Sequence, residues 1–228
     1  MPIFLDSSNV EVIKKYHNLG IIRGVTTNPT IMFKDGCTGG IAGIKERIVQ
    51  IARLVAPYPV SVEVTTNEKD GMVKEAIEYS KLANNINVKV TVHGPNGELD
   101  NLAIVNELEN KHNIRVNVTA MMCAQQGLLA SLAGASYVSI FCGRVNNMGY
   151  DSREEISKLR HLIDENKLKA KIIAASTREV LNVIEWLDAG AHIVTVIPNL
   201  LEGMIVHPYT KETVAMFLRD AEKIKGKF

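Results

Sequence analysis

One short strand-like run of this chain carries a charge in its middle. In NVKVTV (87–92), Val88, Val90 and Val92 share one face of an extended segment, and Asn87, Lys89 and Thr91 share the other. An unpaired buried ammonium is costly, so most strand lysines run along the surface with their ends in water. A lysine held on a polar inner face has another use. Its neutral amine adds to a ketone or aldehyde, and loss of water leaves a protonated imine that draws electrons from the neighbouring carbon. Both imine formation and imine hydrolysis need proton transfers. Glu63 in VSVEVT, acting through a water and Thr119 of RVNVTA, suits that task. Asp6 in IFLDS suits removal of a hydroxyl proton during carbon–carbon cleavage. Taken singly, each has a plainer reading. Glu63 is a salt-bridge partner, and Asp6 is an anion at a helix N-terminus, where Ser7, Ser8 or Asn9 can cap.

Two arginines describe a substrate. Arg144 follows FCG, and Arg178 follows AAST, beside Ser176. Planar guanidinium groups hold a phosphate or similar anion through paired, charge-assisted hydrogen bonds. A helix starting near Thr177 would add free N–H groups. The histidines say less. His17, His112 and His161 fall on helical segments, and only His93 borders the lysine strand. Neither HExxH nor a paired ligand spacing occurs, so a metal-dependent mechanism has no support.

The elements that must carry these residues alternate with little interruption. Strand-like runs at 3–7, 24–28, 60–65, 87–92, 115–120, 137–141, 171–176 and 192–197 are each followed by a helical pattern. The helical patterns cover 9–19, 39–55, 68–83, 98–111, 123–133, 152–166 and 178–188, with 199–205 and 210–224 closing the chain. Eight β-then-α units at roughly 28 residues each predict a parallel sheet with helical crossovers. Without linkers between them, they predict a single domain over 1–228, an α/β (β/α)8 TIM barrel with an additional C-terminal helix at 210–228. An open doubly wound sheet is the alternative. It would carry a glycine-rich turn after its first strand, and no glycine follows IFLDS until Gly20. Its strands would also be apolar on both faces. Here one face is polar: Asp6, Thr26 and Asn28, Ser61 and Glu63, Asn117 and Thr119, Ser139, and Ser176. Most of these sit towards the C-terminal ends of their strands, where barrel sites are built.

Composition excludes several classes. Of 228 residues 46% are hydrophobic and 22% charged, and 26 basic against 25 acidic side chains leave a net charge of +1. That balance offers no basic stripe for nucleic acid and no attraction to an anionic membrane. No apolar run reaches the roughly 18 residues of a spanning helix. The start, MPIFLDSSN, lacks the features of a signal peptide. Cys37, Cys123 and Cys142 have no CxxC spacing, which predicts reduced thiols and a cytoplasmic location.

Several stretches together carry a family resemblance. GVTTNPTIM, the lysine of NVKV, NVTAMMCAQQGLLASLAGASYVSIFCGR and AASTR resemble the small transaldolase family, which includes fructose-6-phosphate aldolases, in register over nearly the whole chain. The resemblance implies that Lys89 forms the Schiff base, that Asp6 is the acid/base aspartate, and that Glu63 and Thr119 hold the catalytic water. It implies substrate contacts at Thr26, Asn28, Asn117 and Ser139, and a phosphate grip at Arg144, Ser176 and Arg178. It implies no metal or organic cofactor, and a homo-oligomer, pentamer or decamer. Phe141 stands where the aldolase subgroup has a tyrosine that helps release free dihydroxyacetone, so the resemblance implies transfer of that unit to a second aldehyde. The alternatives are the lyase reaction and a sugar-phosphate-binding barrel without catalysis.

The chain also departs from the family. Lys89-Val90-Thr91 stands where members commonly read KIP or KVP, and MMC (121–123), Ile140 and VNNMGYD (145–151) are unlike the usual pattern. These positions surround the expected mouth. They imply a kept catalytic core with an altered substrate fit, and a donor that is fructose 6-phosphate or a 6-sulfonated fructose.

Overall fold

A computed structural model describes residues 3–226. Its strands are β1 (Ile3–Asp6), β2 (Val25–Thr26), β3 (Val60–Glu63), β4 (Ile86–Thr91), β5 (Val116–Met121), β6 (Tyr137–Ile140), β7 (Lys171–Ala174) and β8 (Ile193–Val196). They form a closed parallel barrel in chain order, β8 pairing back to β1. The (β/α)8 reading holds, and the open-sheet alternative does not. Outward residues such as Leu5, Val25, Val62, Val88 and Val118 pack against the helices in the main core. Inward ones form a small separate cluster of Phe4, Ile173 and Ile193, with Tyr137 beside it. Phe4 reaches across the neighbouring strand to Gly24, where a Cβ would stand 2.6 Å from its ring. Side chains alternate along β1, so Asp6 faces inward like Phe4.

The helices form α1 (Val10–Asn18), α2 (Pro29–Lys34), α3 (Gly40–Val55), α4 (Lys69–Ser80), α5 (Asp100–Asn110), α6 (Ala124–Leu132), α7 (Cys142–Asn147), α8 (Ser152–Glu165), α9 (Val180–Asp188), α10 (Pro198–Ile205) and α11 (Pro208–Ile224). Asn9 caps α1 by accepting from Val12 N–H at 3.1 Å, which leaves Asp6 free of that role. Two helices were not anticipated. Both α2 and α7 are six residues long, too short to show an apolar period, and both directly follow a strand at the mouth. The helix expected from 178 begins instead at Val180. Among the described residues no helix is long and apolar enough to cross a membrane.

The opposite end of the barrel is fastened by a buried carboxylate. Glu109 Oε1 accepts from the backbone N–H groups of Val116 and Ser136, each at 2.7 Å, and Oε2 lies 3.0 Å from Lys169 Nζ. It thereby ties α5 to the entries of β5 and β6. Glu109→Ala leaves two N–H groups without their charged acceptor and should cost about 3 kcal/mol. Urea unfolding measures it, and Glu109→Gln, which keeps an acceptor oxygen, should cost less.

Candidate active site

Strand register sets the centre of the site. Glu63 pairs with Lys89 across β3 and β4, and Lys89 with Asn117 across β4 and β5. Lys89 is 4% exposed. Its Nζ donates to the backbone carbonyl of Thr27 at 2.9 Å and lies 3.1 Å from Glu63 Oε2. A charged-group partner and a carbonyl together offset the burial that made this lysine unexpected. The carbonyl is itself held in place, because Thr27 Oγ1 donates to Ser61 O at 3.0 Å.

Asp6 enters from the far side of β2. Its Oδ1 accepts from Thr26 Oγ1 at 2.6 Å, and Thr26 Oγ1 is also hydrogen-bonded to Thr195 Oγ1 on β8. Burial pushes the Asp6 carboxyl above its ordinary value, and the negative charges of Asp35 and Glu63 add to this. The Thr26 bond and the Lys89 charge act in the other direction without overcoming it. A carboxyl whose proton affinity is raised above the ordinary, in reach of a buried lysine's charge, is suited both to take and to return a proton.

Thr119 follows Asn117 on the inward face of β5, in regular register with Thr91 of β4, and stands just before a break in the strand. The β5–β6 register shifts between Val118 and Met121, and Ala120 there adopts φ +61°. Such a bulge re-aims the side chains beside it. The hydroxyl of Thr119 is buried and without a protein partner among the described residues, as a group waiting for a water or substrate would be. Beneath it, Asn117 donates to Ser61 Oγ at 3.1 Å and accepts from Ser139 Oγ at 2.7 Å. Asn117 lies below the open cavity and holds Ser139, which does line it.

The two arginine loops meet because of one glycine. A Cβ on Gly143 would stand 1.8 Å from Ser176 O, so only glycine lets α7 approach the end of β7 this closely. Ser176 takes φ +66°, a left-handed backbone rare outside glycine, which turns it and Arg178 over the mouth. Arg144 lies with its guanidinium carbon 5.3 Å from the Phe141 ring centre. The helix expected near Thr177 begins only at Val180, and two of the N–H groups before it are already used. Arg178 N–H and Glu179 N–H both donate to Asn182 Oδ1, at 3.1 and 3.0 Å, because α9 starts later and is closed by a capping box.

All the residues expected to act in catalysis or touch substrate, apart from Asn117, line one cavity of about 630 Å3 at the C-terminal face of the barrel. Sequence reasoning missed several others there. Thr195 gave the same polar-inner-face signal as its neighbours, but the carbonyl of Thr27 gave none. Lys34 and Asp35 belong to the unanticipated α2 and its end. A second cavity of about 350 Å3 adjoins at β3 and β4, sharing Pro29, Glu63 and Ala120, and His93 lines it rather than the first. Among the described residues no cluster of three His, Cys, Asp or Glu could hold a metal ion.

A closed barrel with a buried lysine–carboxylate pair at its mouth defines a class, the barrel proteins equipped for carbonyl chemistry. Residues 3–227 match the family described as Transaldolase/Fructose-6-phosphate aldolase. A "Probable transaldolase" of Carboxydothermus hydrogenoformans is 41% identical over 225 residues, covering 99% of this chain and 100% of that protein. One from Moorella thermoacetica, of the same description, is 39% identical over 227 residues, covering 100% of both. The chain therefore belongs to the transaldolase/fructose-6-phosphate aldolase family. Among solved structures, a dihydrodipicolinate synthase from Rhodopseudomonas palustris superposes with TM-score 0.62 at 11% identity, covering 97% of this chain and 79% of that one. A thiamine phosphate pyrophosphorylase from Pyrococcus furiosus does so with TM-score 0.61 at 12% identity, covering 86% and 85%. At such identities these two speak for the barrel alone.

Proposed function

We propose that the protein is a transaldolase, moving a dihydroxyacetone unit from a ketose with an anionic group at C6 to an aldehyde acceptor. The observation that carries this is the buried Lys89 Nζ, 3.1 Å from Glu63, at the foot of a cavity rimmed by Arg144 and Arg178. Lys89 adds to the donor's C2 carbonyl, and Glu63 moves the protons that release water and leave the imine. Asp6 takes the C4 hydroxyl proton, the C3–C4 bond breaks, and an aldehyde departs. The electron pair stays as an enamine on Lys89. It adds to the acceptor's carbonyl carbon, Asp6 returns the proton, and water frees the new ketose. The chemistry requires neither metal nor organic cofactor.

The donor is fructose 6-phosphate or 6-deoxy-6-sulfofructose, since guanidinium groups and a serine hydroxyl suit either anion. Borohydride reduction in the presence of each donor, followed by mass spectrometry, tests both the mechanism and the anion. A dihydroxyacetone-sized adduct on Lys89 with one donor, absent from Lys89→Ala, supports the reading. No adduct with either donor on folded protein leaves a sugar-phosphate-binding barrel.

A lyase releasing free dihydroxyacetone is the second reading, and Phe141 on the cavity wall speaks for transfer instead. Without a hydroxyl there, nothing at that point helps water protonate the enamine. Phe141→Tyr should raise free dihydroxyacetone release severalfold relative to transfer, measured without acceptor. No rise would remove this argument.

A homo-oligomer, pentamer or decamer, accompanies the proposal, with a cytoplasmic location and the chain as one domain. No residue of α11 is buried, and Val214, Phe217 and Leu218 are exposed by 49%, 61% and 63% on a helix with a 3–4 apolar spacing. A neighbouring copy would cover that face.

A further inference from the structure

Asp35 follows α2 at the cavity wall, and its carboxylate is unusually occupied. Oδ2 accepts from Ser8 N–H at 2.7 Å, from Ser8 Oγ at 3.0 Å and from Ser7 Oγ at 3.1 Å. Ser7 Oγ accepts in turn from Asn9 N–H at 3.1 Å, and Arg47 Nη1 donates to Ser8 O at 2.9 Å. The two residues directly after Asp6 are thus tied to the helix directly after Asn28. Helix capping does not explain the arrangement, because Asn9 already caps α1 and Asn28 already caps α2. None of these bonds uses Oδ1, and Asp35 lines the same cavity as Asp6.

We infer that Asp35 is a positioning residue for Asp6: it clamps the β1–α1 turn against α2 and sets a second negative charge beside the reacting carboxylate. The inference rests on Asp6 acting as the base in the imine mechanism proposed above. The main charges acting on Asp6 are Lys89 from β4, Asp35 from the end of α2 and Glu63 from β3; Lys34 of α2, Arg144 of α7 and Arg178 before α9 line the same cavity. The β2 and β8 neighbours are the neutral Thr26 and Thr195. Lys89 and Glu63 are needed for the imine, whereas Asp35 acts on Asp6 without entering the chemistry. A like charge makes Asp6 hold its proton more tightly, so Asp35 moves the working range of Asp6 upward in pH.

Clamp and charge separate experimentally. Asp35→Asn keeps an acceptor oxygen for the serines and removes the charge. The acid limb of its kcat/KM–pH profile should move to lower pH, with plateau kcat within about threefold of the parent. Ser7→Ala/Ser8→Ala keeps the charge and loosens the clamp. There kcat should fall about tenfold, as small misplacements of a reacting group do, with KM and the acid limb unchanged. Borohydride trapping on Lys89 is run on every form. An Asp35→Asn profile that superimposes on the parent's overturns the inference, as does a double serine variant with parental kcat. Should Asp35→Asn not fold, the double variant decides alone. Absence of an adduct in the parent itself would overturn the imine reading, and this inference with it.

Discussion

Lys89→Met is expected to abolish transfer, lowering kcat by at least about four orders of magnitude, because the other lysine of the cavity, Lys34, is exposed on α2 and is not the one paired with Glu63. A coupled assay of aldehyde release from the donor measures it, and borohydride should then leave no adduct on any residue. The same substitution removes the partner of Glu63 and the donor to Thr27 O. A carboxylate stranded in a dry interior would cost 3 kcal/mol or more. Glu63 keeps 17% of its side chain exposed, so the loss here should be smaller, about 2 kcal/mol. Adding Glu63→Gln removes the stranded charge and should restore most of that stability while activity stays absent. Full activity in Lys89→Met would end the Schiff-base reading. Lost activity with an adduct elsewhere would move the site.

Why so much of this was legible lies in the alternation. A parallel barrel writes each strand twice, as an outward apolar set and an inward set. Above the apolar floor of Phe4, Ile173 and Ile193, the inward positions here are mostly polar, from Asp6 on β1 to Thr195 on β8. That pattern gave the closed barrel, its mouth and the residues around Lys89. It could not give depth. Asn117 and Thr119 are two residues apart on one face, yet Asn117 is tied below the cavity between Ser61 and Ser139 while Thr119 opens into it. The difference is one of depth along the strand, two residues rising by about 6.6 Å, and residue type does not show where the floor of the cavity lies. Nor could the pattern give contacts made by backbone. The Thr27 carbonyl on Lys89 has no signature in residue type, and the approach of Gly143 to Ser176 joins loops that are distant in the chain. Asp35 was hidden for a third reason. It follows a helix of six residues, too short for periodicity to reveal, and its partners lie 27 and 28 positions earlier.

Asp6→Asn separates catalysis from stability. The amide keeps the shape and can still accept from Thr26, but it cannot take the donor's hydroxyl proton. The cleavage step should slow by about 10²–10⁴-fold, the usual worth of a positioned general base. Imine formation depends on Lys89 and Glu63, so borohydride should still trap the intact donor on Lys89. An adduct the size of the whole ketose, rather than of dihydroxyacetone, is the diagnostic result. Stability should change in the opposite direction. Burial raises the Asp6 carboxyl above its unfolded value, so the folded state binds that proton more tightly than the unfolded chain does. Below the ordinary carboxylate value of about 3.9 both states are protonated and the group is neutral in effect. As pH rises through the unfolded and then the folded value, the folded protein comes to hold a buried charge, and stability is lost. At neutral pH the asparagine variant should therefore unfold at higher denaturant than the parent, and the advantage should fade as pH falls towards 4. An asparagine variant less stable than the parent at pH 7 would mean that the Lys89 charge and the Thr26 bond outweigh burial at Asp6. The carboxylate would then be held ionised, ready as a base but poor at returning the proton to the departing ketose.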